Sequence, residues 1–308
     1  MVDISVVIPV YNSENTISDV IEGITHTLRD KYKFEIVLVN DNSRDNSLEV
    51  CKGICSKYSF VKLVSFSKNF GQHNALMAGF NYAKGQYVIC MDDDLQNPPE
   101  EMLKLINTIK SGNYDVVFAK YDSLKEASFR RMGSKINDIM SKILTDKPDG
   151  LYMTSYFILR DFVKDEMIKY SGPYPYVAGL IFRITKNIGT ADIKHEARKK
   201  GQSNYNLKKL LSLWVNGFTG FSVKPLRIAT VAGGAFSFAS FIYIIYIVLK
   251  KFLNPNVSIG WTSLMAGSVF FGGLQLLFLG IIGEYIGRIF LCINNKPQYV
   301  IKEKINIE

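Results

Sequence analysis

The chain has 308 residues, with 37 Lys+Arg against 28 Asp+Glu for a formal net charge of +9, and 47% of its residues are apolar. The apolar fraction excludes a disordered chain, and the length allows a large core and about two domains. The basic balance suits an anionic lipid, a phosphorylated substrate or nucleic acid.

Ile4 to Val10 reads as a buried strand with Pro9 near its end, and Ser13 to Arg29 as a helix that Asn12 or Ser13 could cap. Phe34 to Val39 is a second strand, followed by the turn Asp41 to Asp45 and a second helix. Val61 to Ser65 is a third strand, Gln72 to Ala83 a third helix, and Gln86 to Met91 a fourth strand that runs into three aspartates. Glu100 to Ser111 is helical, and Asp115 to Ala119 is another strand. This alternation predicts an α/β fold with a mostly parallel sheet covered by helices. Ligands of such sheets bind beyond the carboxyl ends of the strands, which points to Asp41 and to Asp92–Asp94.

Ser128 to Leu144 reads as a basic helix. Further on, Leu207, Leu210, Leu211, Trp214, Phe218 and Phe221 share one helical face, as an interfacial helix would place them. Ile228 to Leu249 is a run of 22 residues without a charge, and Phe252 to Gly283 is a run of 32. The first run, if helical, is about 33 Å long at ~1.5 Å per residue, a match to the hydrocarbon core of a bilayer. Two spans are therefore expected, the second over about Trp261 to Gly283. Lys and Arg flank both outer ends, which puts the N-terminal portion in the cytoplasm. With a lipid bilayer as partner, nucleic acid drops out. Cys51, Cys55, Cys90 and Cys292 form no CxxC pair, and the 3 His residues are scattered, so a reducing compartment is expected and a zinc site is not. No basic n-region opens the chain, so no signal peptide is expected.

Asp92-Asp93-Asp94-Leu95-Gln96-Asn97-Pro98-Pro99 is the most informative stretch. Adjacent carboxylates at a strand end repel one another, and a divalent cation relieves that repulsion; Mg2+ or Mn2+ takes oxygen ligands and keeps positions open for phosphate oxygens. On an extended segment Asp92 and Asp94 would point one way, with Gln96 continuing the alternation, and Asp93 the other way. The competing reading is a solvated acidic loop at a helix start.

Pro9-Val10-Tyr11-Asn12 with Glu14, then Val39 to Ser43, then Ser67-Lys68-Asn69-Phe70-Gly71, and then the acidic stretch occur in the order and spacing of a known family. The chain resembles inverting glycosyltransferases of family 2 with the GT-A fold, and with its two C-terminal spans it resembles bacterial polyprenyl-phosphate glycosyltransferases, relatives of dolichyl-phosphate mannose synthase. The resemblance implies a cytoplasmic GT-A nucleotide-sugar-binding domain over 1–204, an interfacial amphipathic helix over 205–225, a two-helix transmembrane domain over 226–290 and a cytoplasmic tail over 291–308, in the bacterial plasma membrane. It implies Mg2+ or Mn2+ as cofactor, a UDP-sugar, with glucose or an N-acetylhexosamine as the sugar, and undecaprenyl phosphate as substrates, and a homo-oligomer such as a tetramer. Pro9, Tyr11, Glu14, Asp41, Lys68, Gly71, Asp92 and Asp93 would bind the nucleotide sugar, and Asp94 and Gln96 the metal. Asp92, Asp94 and Ser155 would serve catalysis; Ser155 stands where many relatives carry an Asp. Lys120, Arg130, Arg131, Ser134, Lys135 and Arg198 would bind the acceptor phosphate. A polysaccharide-extending transferase and a non-catalytic partner of a flippase stay open as alternatives; no QxxRW-type motif supports the former, and the intact acidic stretch opposes the latter.

Overall fold

Apolar runs rich in Val and Ile form strands, and the amphipathic stretches between them form helices that cover the sheet. The computed structural model describes residues 2–121, 151, 153–194, 224–253, 260–293 and 297–307. In chain order the elements are β1 (Ile4–Val10), α1 (Ile17–Leu28), β2 (Phe34–Asn40), α2 (Ser47–Lys57), β3 (Val61–Phe66), α3 (Gln72–Tyr82), β4 (Tyr87–Cys90), α4 (Met102–Ser111) and β5 (Val116–Tyr121). They continue as β6 (Phe157–Arg160), α5 (Asp161–Met167), α6 (Val177–Ile184), β7 (Ile188–Ile193), α7 (Lys224–Leu253), α8 (Trp261–Ile293) and β8 (Ile301–Ile305). The expected basic helix over 128–144 and most of the expected interfacial helix fall outside the described residues.

One sheet of eight strands runs in the order β7-β5-β6-β4-β1-β2-β3-β8. β1 pairs in parallel with β2 and β4, β2 with β3, and β5 with β7, whereas β6 and β8 run antiparallel to their neighbours. The mostly parallel α/β sheet expected from the sequence is therefore present. Ile4, Val6 and Ile8 of β1 are fully buried in one cluster with Ile17, Val20, Ile24 and Leu28 of α1, whose spacing puts them on one helical face. On α3, Gly79 is required by close approach: a Cβ there would stand 2.3 Å from the Val7 side chain on β1. Pro9 is tolerated in a central strand because the β4 ladder ends at the pair Val7–Cys90, before Pro9 is reached.

From β1 the chain proceeds to β2 on one side, while β4 lies on the other. The connections leaving the carboxyl ends of β1 and β4 therefore diverge, and a crevice opens at that switch point.

Two features depart from the sequence reading. Residues 291–308, expected as a tail, supply strand β8, which pairs with β3 through Leu63–Ile305, Val64–Lys304 and Ser65–Glu303. The edge of β3 would otherwise expose unpaired N–H and C=O groups, and β8 satisfies them. The helix expected from Ser13 begins only at Ile17: the Ser13 hydroxyl is turned to Asp93, and its carbonyl accepts from Thr16 and Ile17 N–H in a turn that precedes the helix.

The chain divides into two compact units, Met1–Asn206 with Asn295–Glu308, and Leu207–Asn294. The second contains α7 and α8, with Phe236 and Phe270 in edge contact at 6.4 Å. Among the described residues one helix is long and apolar enough to cross a membrane, α8 over Phe270–Gly287, with a mean hydropathy of 1.5. Cys51, Cys55 and Cys90 are free and buried.

Candidate active site

The carboxyl ends of β1, β2, β3 and β4 bring Tyr11–Glu14, Asp41–Asp45, Ser67–Gly71 and Asp92–Gln96 to one edge of the sheet. Beyond Cys90 the acidic stretch does not stay extended. Leu95 adopts φ +59°, a left-handed conformation costly for a branched side chain, and the Gln96 N–H donates to Asp94 Oδ1 at 3.1 Å. This turn cancels the strict alternation expected for Asp92, Asp94 and Gln96.

The three carboxylates have different surroundings. Asp92 accepts from Gln72 Nε2 at 2.7 Å and from the Ser155 hydroxyl. Ser155 thus reaches the acidic tip from the segment before β6, and its hydroxyl orients the Asp92 carboxylate. Asp93 turns into the protein. It accepts from the Tyr11 N–H at 3.1 Å and from the Ser13 hydroxyl, and Thr16 Oγ1 donates to its carbonyl at 2.7 Å. Burial, and to a lesser degree its two acidic neighbours, pushes the Asp93 carboxyl up to about 6 against these hydrogen bonds. Asp93 therefore clamps the loop after β1 to the loop after β4, across the switch point. Both the Ser13 hydroxyl and the Tyr11 amide converge on one oxygen, Asp93 Oδ2.

Asp41 is a second organiser. Its Oδ1 accepts from the Phe70 N–H at 2.6 Å, its Oδ2 from the Gly71 N–H at 2.8 Å, and its carbonyl from Asn69 Nδ2 at 3.2 Å. Burial raises its pKa, and the two backbone hydrogen bonds oppose that shift. Each carboxylate oxygen still has a second lone pair, so a ligand N–H can be accepted as well. Gly71 sits at φ +91°, where an L side chain would be strained, and opens directly into α3. Lys68 is exposed and its Nζ stands 5.0 Å from the Phe70 ring centroid.

The loops after β1 and β2 are laced together. Asn12, at φ +56°, accepts from the Arg44 N–H at 2.8 Å, and Glu14 Oε2 accepts from the Asn46 N–H at 2.9 Å. Glu14 thus supports the entry to α2, while Tyr11 keeps an exposed ring at the crevice. Lys120, at the carboxyl end of β5, is exposed and pairs with exposed Asp192 at 3.5 Å. Arg130, Arg131, Ser134, Lys135 and Arg198 lie outside the described residues.

Among the described residues no three or more His, Cys, Asp or Glu side chains form a ready metal cage. The donors at the tip are carboxylate and amide oxygens. That set suits a hard divalent cation which takes its remaining ligands from water and substrate oxygens. Gln72 and Ser13 are not among the residues expected at the site. Gln72 directly follows the Ser67–Gly71 motif, which is the available signal; Ser13 is expected only as one of two candidate helix caps, with Asn12.

The sequence model of Glycosyl transferase family 2 matches residues 5–170, and that of the GtrB C-terminal hairpin matches residues 224–289. Over 99% of its length the chain is 33% identical to the uncharacterized glycosyltransferase YkcC of Bacillus subtilis, of which it covers 94%. It is 32% identical, over 98% of its length, to the undecaprenyl-phosphate 4-deoxy-4-formamido-L-arabinose transferase of Serratia proteamaculans, again covering 94% of that protein. Glucosyl-3-phosphoglycerate synthase of Mycobacterium tuberculosis, solved with Mn2+ and uridine-diphosphate-glucose, shares the fold with a TM-score of 0.54 at 17% identity, covering 71% of this chain and 77% of that one.

Proposed function

The chain belongs to glycosyl transferase family 2, and from that premise we propose that it moves a sugar from a UDP-sugar to undecaprenyl phosphate at the cytoplasmic face of the bacterial plasma membrane. The supporting observation is that the acidic tip is tied both to the loop after β1, through Tyr11 and Asp93, and to Gln72, which directly follows the Asp41-held loop, through Asp92, in a chain that aligns along 98% of its length with a named undecaprenyl-phosphate transferase. The fold relative solved with Mn2+ and a UDP-sugar supports the same donor chemistry.

The loop Ser67–Gly71, held by Asp41, lines the nucleotide pocket with Pro9, Tyr11 and Glu14, and Asp41 accepts a base N–H on its second lone pairs. Asp92, oriented by Gln72 and Ser155, accepts a hydroxyl of the sugar or ribose. A divalent cation, Mg2+ or Mn2+, would be held by Asp94 and Gln96 and would supply charge neutralisation to the departing diphosphate. An oxygen of the lipid phosphate attacks the anomeric carbon from the face opposite the diphosphate; the new C–O bond forms as the bond to UDP breaks, with inversion. The acceptor is largely ionised at neutral pH, its second pKa being ~6, so no general base is required, and Ser155 acts by positioning Asp92. Lys120, Arg130, Arg131, Ser134, Lys135 and Arg198 supply the cationic surroundings for the acceptor phosphate.

In this reading α7 and α8 both span the membrane. Phe238 is 68% exposed and Leu276 is 71% exposed, as side chains that face lipid are towards the rest of the protein. The test is a panel of labelled UDP-sugars, including UDP-glucose, UDP-N-acetylglucosamine and UDP-4-deoxy-4-formamido-L-arabinose, offered to the full chain with undecaprenyl phosphate. Label carried into the organic phase by one donor supports the reading. Label in a polymer, or in no product with any donor, rejects it.

A further inference from the structure

The segment that follows α8 in sequence does more than close the sheet edge. Between Ser65 and Phe66 the β3–β8 register shifts, and beyond the shift the Ser67 N–H donates to the Val300 carbonyl at 3.0 Å. Tyr299 stacks on Phe66, with centroids 5.1 Å apart and planes 17° from parallel. Phe66 in turn meets Phe70 edge-on at 5.5 Å. Phe70 is the residue whose N–H donates to Asp41. A continuous line of contacts thus runs from Tyr299 through Phe66 and Phe70 to Asp41.

Tyr299 is itself fixed. Its hydroxyl accepts from Asn81 Nδ2 at 3.0 Å, on the last turn of α3. Next to it, Gln298 Nε2 donates to the Gly172 carbonyl at 3.0 Å. At the far end of the strand, Asn306 Nδ2 donates to the Val61 carbonyl at 2.8 Å and to the Cys55 carbonyl at 2.9 Å. Glu303 pairs with Lys52 at 3.1 Å. The strand is anchored at both ends, but only its Tyr299 end touches the Ser67–Gly71 loop.

We propose that Pro297–Asn306 is a positioning strap for the nucleotide site, with Tyr299 as the residue that sets the Ser67–Gly71 loop. The proposal rests on the reading of that loop as part of the UDP pocket. Asp41 holds the loop at the Phe70 and Gly71 N–H and Asn74 Nδ2 holds it at the Phe70 carbonyl; the ring stack adds a support to the Phe70 side chain, which those backbone bonds leave unfixed. Residues distant in sequence and outside the catalytic motifs thereby govern donor affinity. Tyr299 reaches the reaction only through Phe66 and the loop, so it is a positioning residue.

The test uses the full chain in detergent and two readouts: the Kd for UDP by calorimetry, and amide hydrogen exchange at Ser67–Gly71. Tyr299→Ala is expected to raise the Kd about tenfold, the worth of one well-formed aromatic pair, and to speed exchange at Phe70 and Gly71. Tyr299→Phe keeps the stack and loses only the Asn81 bond, so it should stay near wild type in both. Asn306→Ala loosens the other end of the strand and controls for general destabilisation. Unchanged Kd and exchange in Tyr299→Ala, or equal weakening in Asn306→Ala, overturns the proposal. If the wild-type chain binds no UDP, the nucleotide reading is the part that fails, and the exchange data alone decide whether the strap sets the loop.

Discussion

Phe80 and Phe238 carry the same ring in two environments. Phe80, on α3 against the sheet, is fully buried; Phe238, on α7, is 68% exposed. The pattern extends beyond the two residues. In the sheet unit the strand cores and the inner faces of α1, α3 and α4 close over one another, whereas Phe241, Tyr243 and Leu249 of α7 and Leu276, Leu279 and Phe290 of α8 remain open. Apolar content alone does not separate a closed core from an open apolar surface; what covers the side chain does.

The largest effect should come from a residue of the sheet unit that adds little to its stability. Asp94→Ala is expected to lower the transfer rate at least about a thousandfold, because the developing charge on the leaving diphosphate loses its counterion. The melting temperature should stay within a few degrees of wild type. Full activity in this variant would remove Asp94 from the site.

Next, Phe80→Ala should cost about 4 kcal/mol in denaturant unfolding through the cavity it leaves. An effect below about 1 kcal/mol would deny the sheet unit its close-packed core.

The third prediction concerns pH. His73 lies at the start of α3 with its ring edge-on to Tyr176 at 5.5 Å, and its Nδ1 is buried without a hydrogen-bond partner among the described residues. Burial pushes its pKa down to about 4. The unfolded chain takes up this proton near 6.5 and the folded protein only near 4, so the unfolded state binds more protons between those values. Stability is therefore complete above about pH 6.5 and falls as pH drops towards 4, by about 3 kcal/mol from this residue. Melting curves between pH 7.5 and pH 5 should show a steeper loss for wild type than for His73→Phe, which cannot take up the proton. Parallel curves would contradict the assignment.

The smallest effect should come from the open surface. Phe238→Ala in detergent should change unfolding by less than about 0.5 kcal/mol, since its ring is 68% exposed among the described residues. A cost equal to that of Phe80→Ala would mean that Phe238 is covered by protein in the working enzyme.

The sequence made the first five strands and their alternation with helices legible, because β1–β5 are apolar runs bounded by turn residues and the pattern is local. It also marked Asp41 and the acidic tip, since both follow strand ends. Strand β8 was hidden: Ile301-Lys302-Glu303-Lys304-Ile305 is mostly charged and comes after the apolar helices, so it resembles a tail. Only its partner β3, more than two hundred residues earlier, makes it a strand. The division of labour among the aspartates was equally illegible. Asp93 owes its clamp role to Ser13, and Asp92 its orientation to Gln72 and Ser155, all of them non-local partners. Alternation along an extended chain could not anticipate the left-handed turn at Leu95.

The most direct measurement is cation-dependent transfer by the purified full chain, with undecaprenyl phosphate and whichever UDP-sugar the panel selects, read as label extracted with the lipid. The account predicts a product bearing one sugar per lipid phosphate, formed only with both acceptor and Mg2+ or Mn2+ present and abolished by EDTA. Transfer at the same rate in EDTA, or label that enters a polymer in the absence of the lipid, would contradict it.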